Sequence, residues 1–399
     1  MNEDRLRELL REEPLPGAED AERRGLALVE RTYAERQPVG RPRLPRLAVA
    51  LAAATLLTAL LLSPAGAAVR DWIGDVFTAG VRHAEPALTE VPSGGRLLVQ
   101  SPRGPWVVQA DGSRRLLGRY DEAAWSPHGL FVAAASGRTL SAIEPDGTPH
   151  WSVSAGAPVR DPRWSPSGFR IAYRAGHSLR TVRADGTESH LLGAAASVAP
   201  AWLPLGPHLL AYIDAARRLR IAETDTRRTL ASVGASPDVA ALGWAADGRS
   251  LLEISRRALW LRPLRIAKLA DRVRLGNARR IPLPANAVVL SAAFAPQGHT
   301  IAALLERRDQ ANAPRSEAIL IDAAGGPPRR LFSVSGRLNQ LAWSPDGHRL
   351  LLAWPAADQW LFLPVREKAR LQAIGNIASI FSPGHRGQTL FPRIEGWCC

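Results

Sequence analysis

The chain has little sulfur and little lysine. Of its 399 residues two are cysteine and one is methionine. The cysteines, Cys398 and Cys399, are neighbours. Adjacent cysteines do not readily reach ordinary disulfide geometry, so a stapled fold is not expected, and linkage to another molecule or inert thiols is the reading instead. A terminal Cys-Cys also resembles a prenylation signal, but that modification is cytosolic, and the charge pattern near the N-terminus puts this end outside. Only two of the 51 basic residues are lysines, Lys268 and Lys368. An Arg- and Ala-dominated composition reads partly as bias, rather than as a surface selected for a polyanion. Motifs of catalysis are also missing. There is no G-x-S-x-G elbow, no H-E-x-x-H and no phosphate-cradling glycine loop. No catalytic, metal-binding or cofactor-binding residue is therefore assigned, and an enzyme is not expected.

Charge is plentiful but uneven. The net charge is +14. Residues 1–46 carry ten bases and ten acids, so the whole excess lies downstream. A basic exported domain favours anionic partners such as lipid head groups or wall polymers, and nucleic acid is not expected. Residues 1–46 read as two short helices, with Leu6, Leu10, Leu26, Val29 and Tyr33 at helical spacing. They suit either a solvated arm or a docking face for a cytoplasmic protein.

Residues 47–68 contain no charge. As a helix they would span about 33 Å, enough for a bilayer core. Arg36, Arg41, Arg43 and Arg46 precede the run, which places the N-terminus in the cytoplasm and the rest outside. A cleaved signal peptide ending at Ala65-Gly66-Ala67 and a buried helix are the alternatives. Residues 69–92 read as a juxtamembrane segment and linker, with Trp72 and Phe77 as interface anchors or as a lid on the downstream domain.

Beyond residue 92, one short pattern recurs. Leu341–Leu350 reads LAWSPDGHRL, and worn copies place an aromatic at Trp125, Trp164, Trp202, Trp244 and Phe294 before Trp343. The gaps are 39, 38, 42, 50 and 49 residues. In each copy an apolar strand ends in the aromatic and a turn reverses it. Pro127, Pro166 and Pro345 preset φ at the second turn position. Asp247 and Asp346 suit bonding to their own backbone, and Gly129, Gly168, Gly248, Gly298 and Gly347 supply positive φ. Three further short strands follow each turn. Four strands per period of about 40 residues is the blade of a β-propeller.

The pattern resembles the TolB-like, WD-repeat-like propeller repeat, with its aromatic-Ser-Pro-Asp-Gly turn. The resemblance covers about Gly94 onward, and Trp343 to Gly347 match the hallmark fully. It implies an all-β fold over residues 93–399 and does not by itself imply a function. Seven third strands can be counted, from GPWVVQADG (104–112) onward, so seven blades are expected, with six as the alternative. The first unit lacks its own aromatic strand. SIFSPGHRG (379–387) has the pattern and is expected to close the ring, removing exposed edges. A basic stretch, 262–280, lengthens the fifth unit and reads as a helical or extended surface loop, the kind of place where specificity sits. LSAIEPDGTPHWSV (140–153) is similar to a quinoprotein-type repeat. It occurs once, so no cofactor follows. His208, His299, His348 and His385 follow equivalent turns and read as solvated turn residues rather than metal ligands.

The sequence thus predicts a single-pass membrane protein carrying an extracytoplasmic propeller that binds an envelope protein, peptide or anionic polymer. The second reading is an anti-sigma-like regulator, with the propeller as sensor and residues 1–46 as effector.

Overall fold

A computed structural model describes residues 88–206, 208–267, 272–308, 312–365, 370–382 and 390–399. The arm at 1–46 with its five docking residues, the uncharged run at 47–68, Trp72, Phe77 and His385 lie outside these. Among the described residues no helix is long and apolar enough to cross a membrane.

Seven antiparallel sheets form a seven-bladed propeller. Blade 1 contains β1 (Arg96–Ser101), β2 (Gly104–Val108) and β3 (Arg114–Leu116). Blade 2 contains β4 (Glu122–Trp125), β5 (Val132–Ser136), β6 (Thr139–Ile143) and β7 (Pro149–Ser154). Blade 3 contains β8 (Val159–Trp164), β9 (Arg170–Ala175), β10 (Ser178–Arg183) and β11 (His190–Ala194). Blade 4 contains β12 (Ala201–Trp202), β13 (Leu209–Ile213), β14 (Arg218–Glu223) and β15 (Arg228–Gly234). Blade 5 contains β16 (Val239–Trp244), β17 (Ser250–Ser255), β18 (Ala258–Ile266), β19 (Val273–Leu275) and β20 (Arg279–Ile281). Blade 6 contains β21 (Val288–Phe294), β22 (Thr300–Arg308), β23 (Pro314–Asp322) and β24 (Arg329–Ser335). Blade 7 contains β25 (Gln340–Trp343), β26 (Arg349–Trp354), β27 (Gln359–Pro364) and β28 (Gln372–Gly375). A short helix, α1 (Ile377–Phe381), comes next, and β29 (Arg393–Cys398) pairs with β1 to complete blade 1.

The middle strands are apolar on both faces because each sheet packs between two others. All five residues of β13 are buried, as are five of the six in β26. The core consists of layers between neighbouring blades. Leu350, Leu352 and Trp354 of blade 7, for example, share a cluster with Ala302 and Leu304 of blade 6.

The tail does close the ring, but with a different segment from the one expected. Ser379 lies in α1, and residues 383–387 lie outside the described set. The closing strand is β29, whose Gly396-Trp397 repeats the Gly243-Trp244 of β16 without a Ser-Pro-Asp-Gly turn after it. Phe381 of α1 is fully buried against Trp360 and Trp106, centroids 5.4 and 5.7 Å apart, so this helix packs at the closing seam.

The insertion in blade 5 is also ordered differently from the expected loop. β18 runs on past β17 and pairs with β19, with Arg265 opposite Arg274, and then β20 returns to its first half. Buried Glu253 holds the arrangement. It accepts from Arg262 Nε at 2.6 Å and from Ser236 N at 2.7 Å, while Arg262 also donates to the carbonyls of Gly276 and Gly234. Both partners of this ion pair are buried and bonded on several sides, as a stable buried pair requires.

Candidate functional site: the mouth of the central channel

The recurring turns all lie on one face of the ring. In blade 7, Ser344 Oγ accepts from Arg349 N at 2.8 Å and donates to Asp346 Oδ1 at 2.5 Å. Asp346 Oδ1 also accepts from His348 N at 2.9 Å. Gly347 has φ of 68°, a conformation that glycine adopts without a Cβ penalty. Ser126 and Ser165 repeat the role, each accepting the amide five residues on. Where blade 5 has Ala245 and Ala246 in place of Ser-Pro, Asp247 keeps the bond to Arg249 N.

The aromatics build the ring. Trp202, Trp244 and Trp343 donate their indole N–H groups to the carbonyls of Arg163, Ala201 and Ala293 at 2.9, 2.9 and 3.1 Å. Each acceptor is the residue before the motif aromatic of the preceding blade. Tryptophan therefore ties neighbouring inner strands together, a bond Phe294 cannot make. Trp164 is buried without such a partner, and Trp125 is covered by Arg96, whose guanidinium carbon lies 5.1 Å from the ring centroid.

On this face the channel opens into a cavity of about 750 Å³. Trp125, Pro127, Trp343 and Pro345 line it, as do Pro296, His128 and Trp397. The remaining predicted turn residues, including Trp164, Pro166, Gly168, Trp202, Trp244 and Gly298, do not line it. Sequence reading missed Trp397. Its signal was the Gly-Trp pair, and it now donates to Gly94 O at 2.9 Å. It also missed the polar wall made by Glu395 and Arg163. Glu395 accepts from Arg393 Nη2 at 2.9 Å. Burial pushes its carboxyl above the usual range, against the pull of Arg393 and Arg163, and Glu122 adds to the rise.

Cys398 and Cys399 sit at the rim of the cavity. Contrary to expectation they are joined to each other in a disulfide. The tip of β29 is thus tied to itself beside the Pro127 carbonyl.

The histidines behave unevenly. His208 bridges two blades, with Nδ1 2.9 Å from Asp225 Oδ2 and Nε2 2.8 Å from Ser167 Oγ. It is thus a blade-to-blade link rather than a solvated turn residue. His299 and His348 are exposed beside Asp247 and Asp346, at 3.9 and 3.4 Å. Among the described residues no three His, Cys, Asp or Glu side chains converge as a metal site.

No family model matches the chain, and no curated protein matches it. Among solved structures it is similar to hydrazine synthase of Kuenenia stuttgartiensis, at 14% identity and a TM-score of 0.47. That match covers 61% of this chain and 75% of the other. Such a likeness concerns the fold alone. Propellers occur in enzymes and in binding proteins alike.

Proposed function

We propose that this propeller is a binding module rather than an enzyme, of the TolB-like, WD-repeat-like kind, and that its ligand enters the channel mouth. The supporting observation is the cavity itself. Its aromatic and proline rim can bury an apolar segment, while Arg163 and Glu395 offer both charges to a peptide backbone or side chain. The ligand class that fits best is a peptide segment of an envelope protein; an anionic polymer fits the positive charge of the domain but meets Glu395 in the wall. Residues 47–68 would anchor the module in the membrane with the propeller outside. In the second reading residues 1–46 would pass occupancy of the mouth to a cytoplasmic regulator, through Leu6, Leu10, Leu26, Val29 and Tyr33.

The test is site-specific photocrosslinking of the full chain in cells. A probe at His128, on the rim, is expected to capture an envelope protein. Trp397→Ala should reduce that capture, and a probe at Leu390, which is not part of the rim, should not make it. Equal capture from both positions would overturn the mouth as the site.

A further inference from the structure

We propose that Ser167, at the border between blades 3 and 4, is an activated nucleophile that takes the acyl group of an aliphatic ester. The three groups this chemistry needs are already in contact. Ser167 Oγ lies 2.8 Å from His208 Nε2, and His208 Nδ1 lies 2.9 Å from Asp225 Oδ2. A hydroxyl, an imidazole and a carboxylate in that order make a nucleophile, its base and the group that orients the base. Such a set is recognised by geometry and roles rather than by sequence position. Here it is drawn from two blades: Ser167 from the turn between β8 and β9, His208 from the residue before β13, and Asp225 from the turn between β14 and β15. None of the three lines the channel mouth, so the proposal does not depend on what binds there.

The surrounding hydrogen bonds fix where each proton sits. Buried Ser165 Oγ accepts from Arg170 N at 3.0 Å and lies 3.0 Å from Ser167 Oγ, so its own proton goes to Ser167. The Ser167 proton is then left for His208 Nε2. Asp225 divides its two oxygens: Oδ1 accepts from Arg170 Nε, which leaves Oδ2 for the imidazole. Partial burial works to raise this carboxyl, but the hydrogen bonds and charges of His208 and Arg170 outweigh it and hold it below the ordinary range. An ionised Oδ2 takes a proton from Nδ1–H, and in neutral imidazole that leaves Nε2 bare and facing the serine hydroxyl. That is the tautomer of a general base. The position has also changed its task. In blade 7 the motif keeps Asp346 there, accepting the amide two residues on at 2.9 Å. Ser167 reaches the equivalent amide, of Phe169, only at 3.4 Å. His299 and His348, at the places matching His208, each stand beside one carboxylate and no serine among the described residues.

The step is a single covalent transfer. Ser167 Oγ bonds to the ester carbonyl carbon while its proton passes to His208 Nε2. The tetrahedral centre collapses, the carbon–oxygen bond to the leaving group breaks, and His208 returns the proton to that oxygen. The acyl group stays on Ser167 and an alcohol or phenol departs. Among the described residues the Ser167 N–H makes no hydrogen bond, so one donor beside the nucleophile is available to the oxyanion. One such donor contributes about a hundred- to a thousandfold in rate, less than a full oxyanion hole, so esters with a good leaving group fit best. The acyl chain has a surface to lie on. Phe169, two residues after Ser167, is 69% exposed, and Leu205, three before His208, is 65% exposed. Large apolar side chains gathered on the surface mark a contact site.

The experiment treats the full chain with an octyl fluorophosphonate, which phosphonylates activated serines with loss of fluoride, and maps the label by peptide mass spectrometry. Ser154 is the internal reference, being exposed and without a histidine partner among the described residues. Ser167 should label at least about a hundredfold faster than Ser154. With p-nitrophenyl octanoate, about one equivalent of nitrophenol should appear in a burst as the acyl group arrives on Ser167. His208→Gln and Asp225→Asn, each checked for fold by circular dichroism, should slow the labelling of Ser167 at least about tenfold and leave Ser154 unchanged. Phe169→Ser should slow the octyl reagent about fourfold, as for one methylene no longer buried, and spare an ethyl one. Labelling of Ser167 at the Ser154 rate in the native chain would overturn the proposal. So would fast labelling that neither variant slows, which would leave the cluster as a link between blades and nothing more. An equal effect of Phe169→Ser on both reagents would overturn the aliphatic class.

Discussion

Glu395 is a carboxylate placed where ionisation is costly. Burial raises its pKa more than Arg393 and Arg163 lower it. The folded chain therefore holds this proton more tightly than the unfolded chain does. The stability so gained is full below the ordinary glutamate value of about 4.3 and is lost as pH rises through the folded value. Glutamine at this position cannot ionise. Glu395→Gln should therefore melt above the native protein at pH 7, and the gap should close as the pH falls toward about 4. Melting curves across that range check it, and a gap independent of pH would mean that packing, not charge, sets the difference. Of the single residues, the turn-formers were the most legible from sequence. Their chemistry is local, so Pro345, Asp346 and Gly347 announce themselves within five positions. Glu395 and Arg163 were not legible, since their proximity depends on ring closure between strands more than 200 residues apart.

The lengthened third strand of blade 5 is secured by one ion pair. Glu253 is fully buried, and Arg262 reaches from it to the carbonyl of Gly276, between the returning strands β19 and β20, and to that of Gly234, at the end of β15 in blade 4. Removing the acid alone strands a guanidinium in the protein interior. Glu253→Ala should cost about 3–5 kcal/mol in chemical denaturation. The double change Glu253→Leu, Arg262→Met should cost clearly less, because no unpaired charge remains. The stretch looked like a loop because its arginines mask the alternation of β18. Its apolar residues Leu259, Leu261 and Leu264 are buried, whereas Pro263 and Arg265 between and after them are exposed. A hairpin that projects beyond its sheet does not keep the regular pattern by which a strand is recognised.

At the scale of the molecule, the repeat was legible because seven similar units must each bury two faces. The closing strand was not, because β29 lacks the turn residues that mark the other inner strands. Trp397 nonetheless takes a place in the core, with its ring edge-on to Phe362 at 5.6 Å. A chain lacking residues 393–399 should keep its strand content by circular dichroism but leave the edge of β1 unpaired. It should therefore associate in light scattering at concentrations where the full chain stays monodisperse.

The tail strand also sets a timetable. β1 and its partner β29 are separated in the chain by nearly the whole domain. During synthesis at roughly 5–20 residues per second, every blade can zip up locally while the first waits tens of seconds for its inner strand. If the chain is threaded across a membrane, that interval is spent on the far side. The growing domain is then an open horseshoe with two bare ends, and whatever escorts it there must tolerate that shape until β29 arrives.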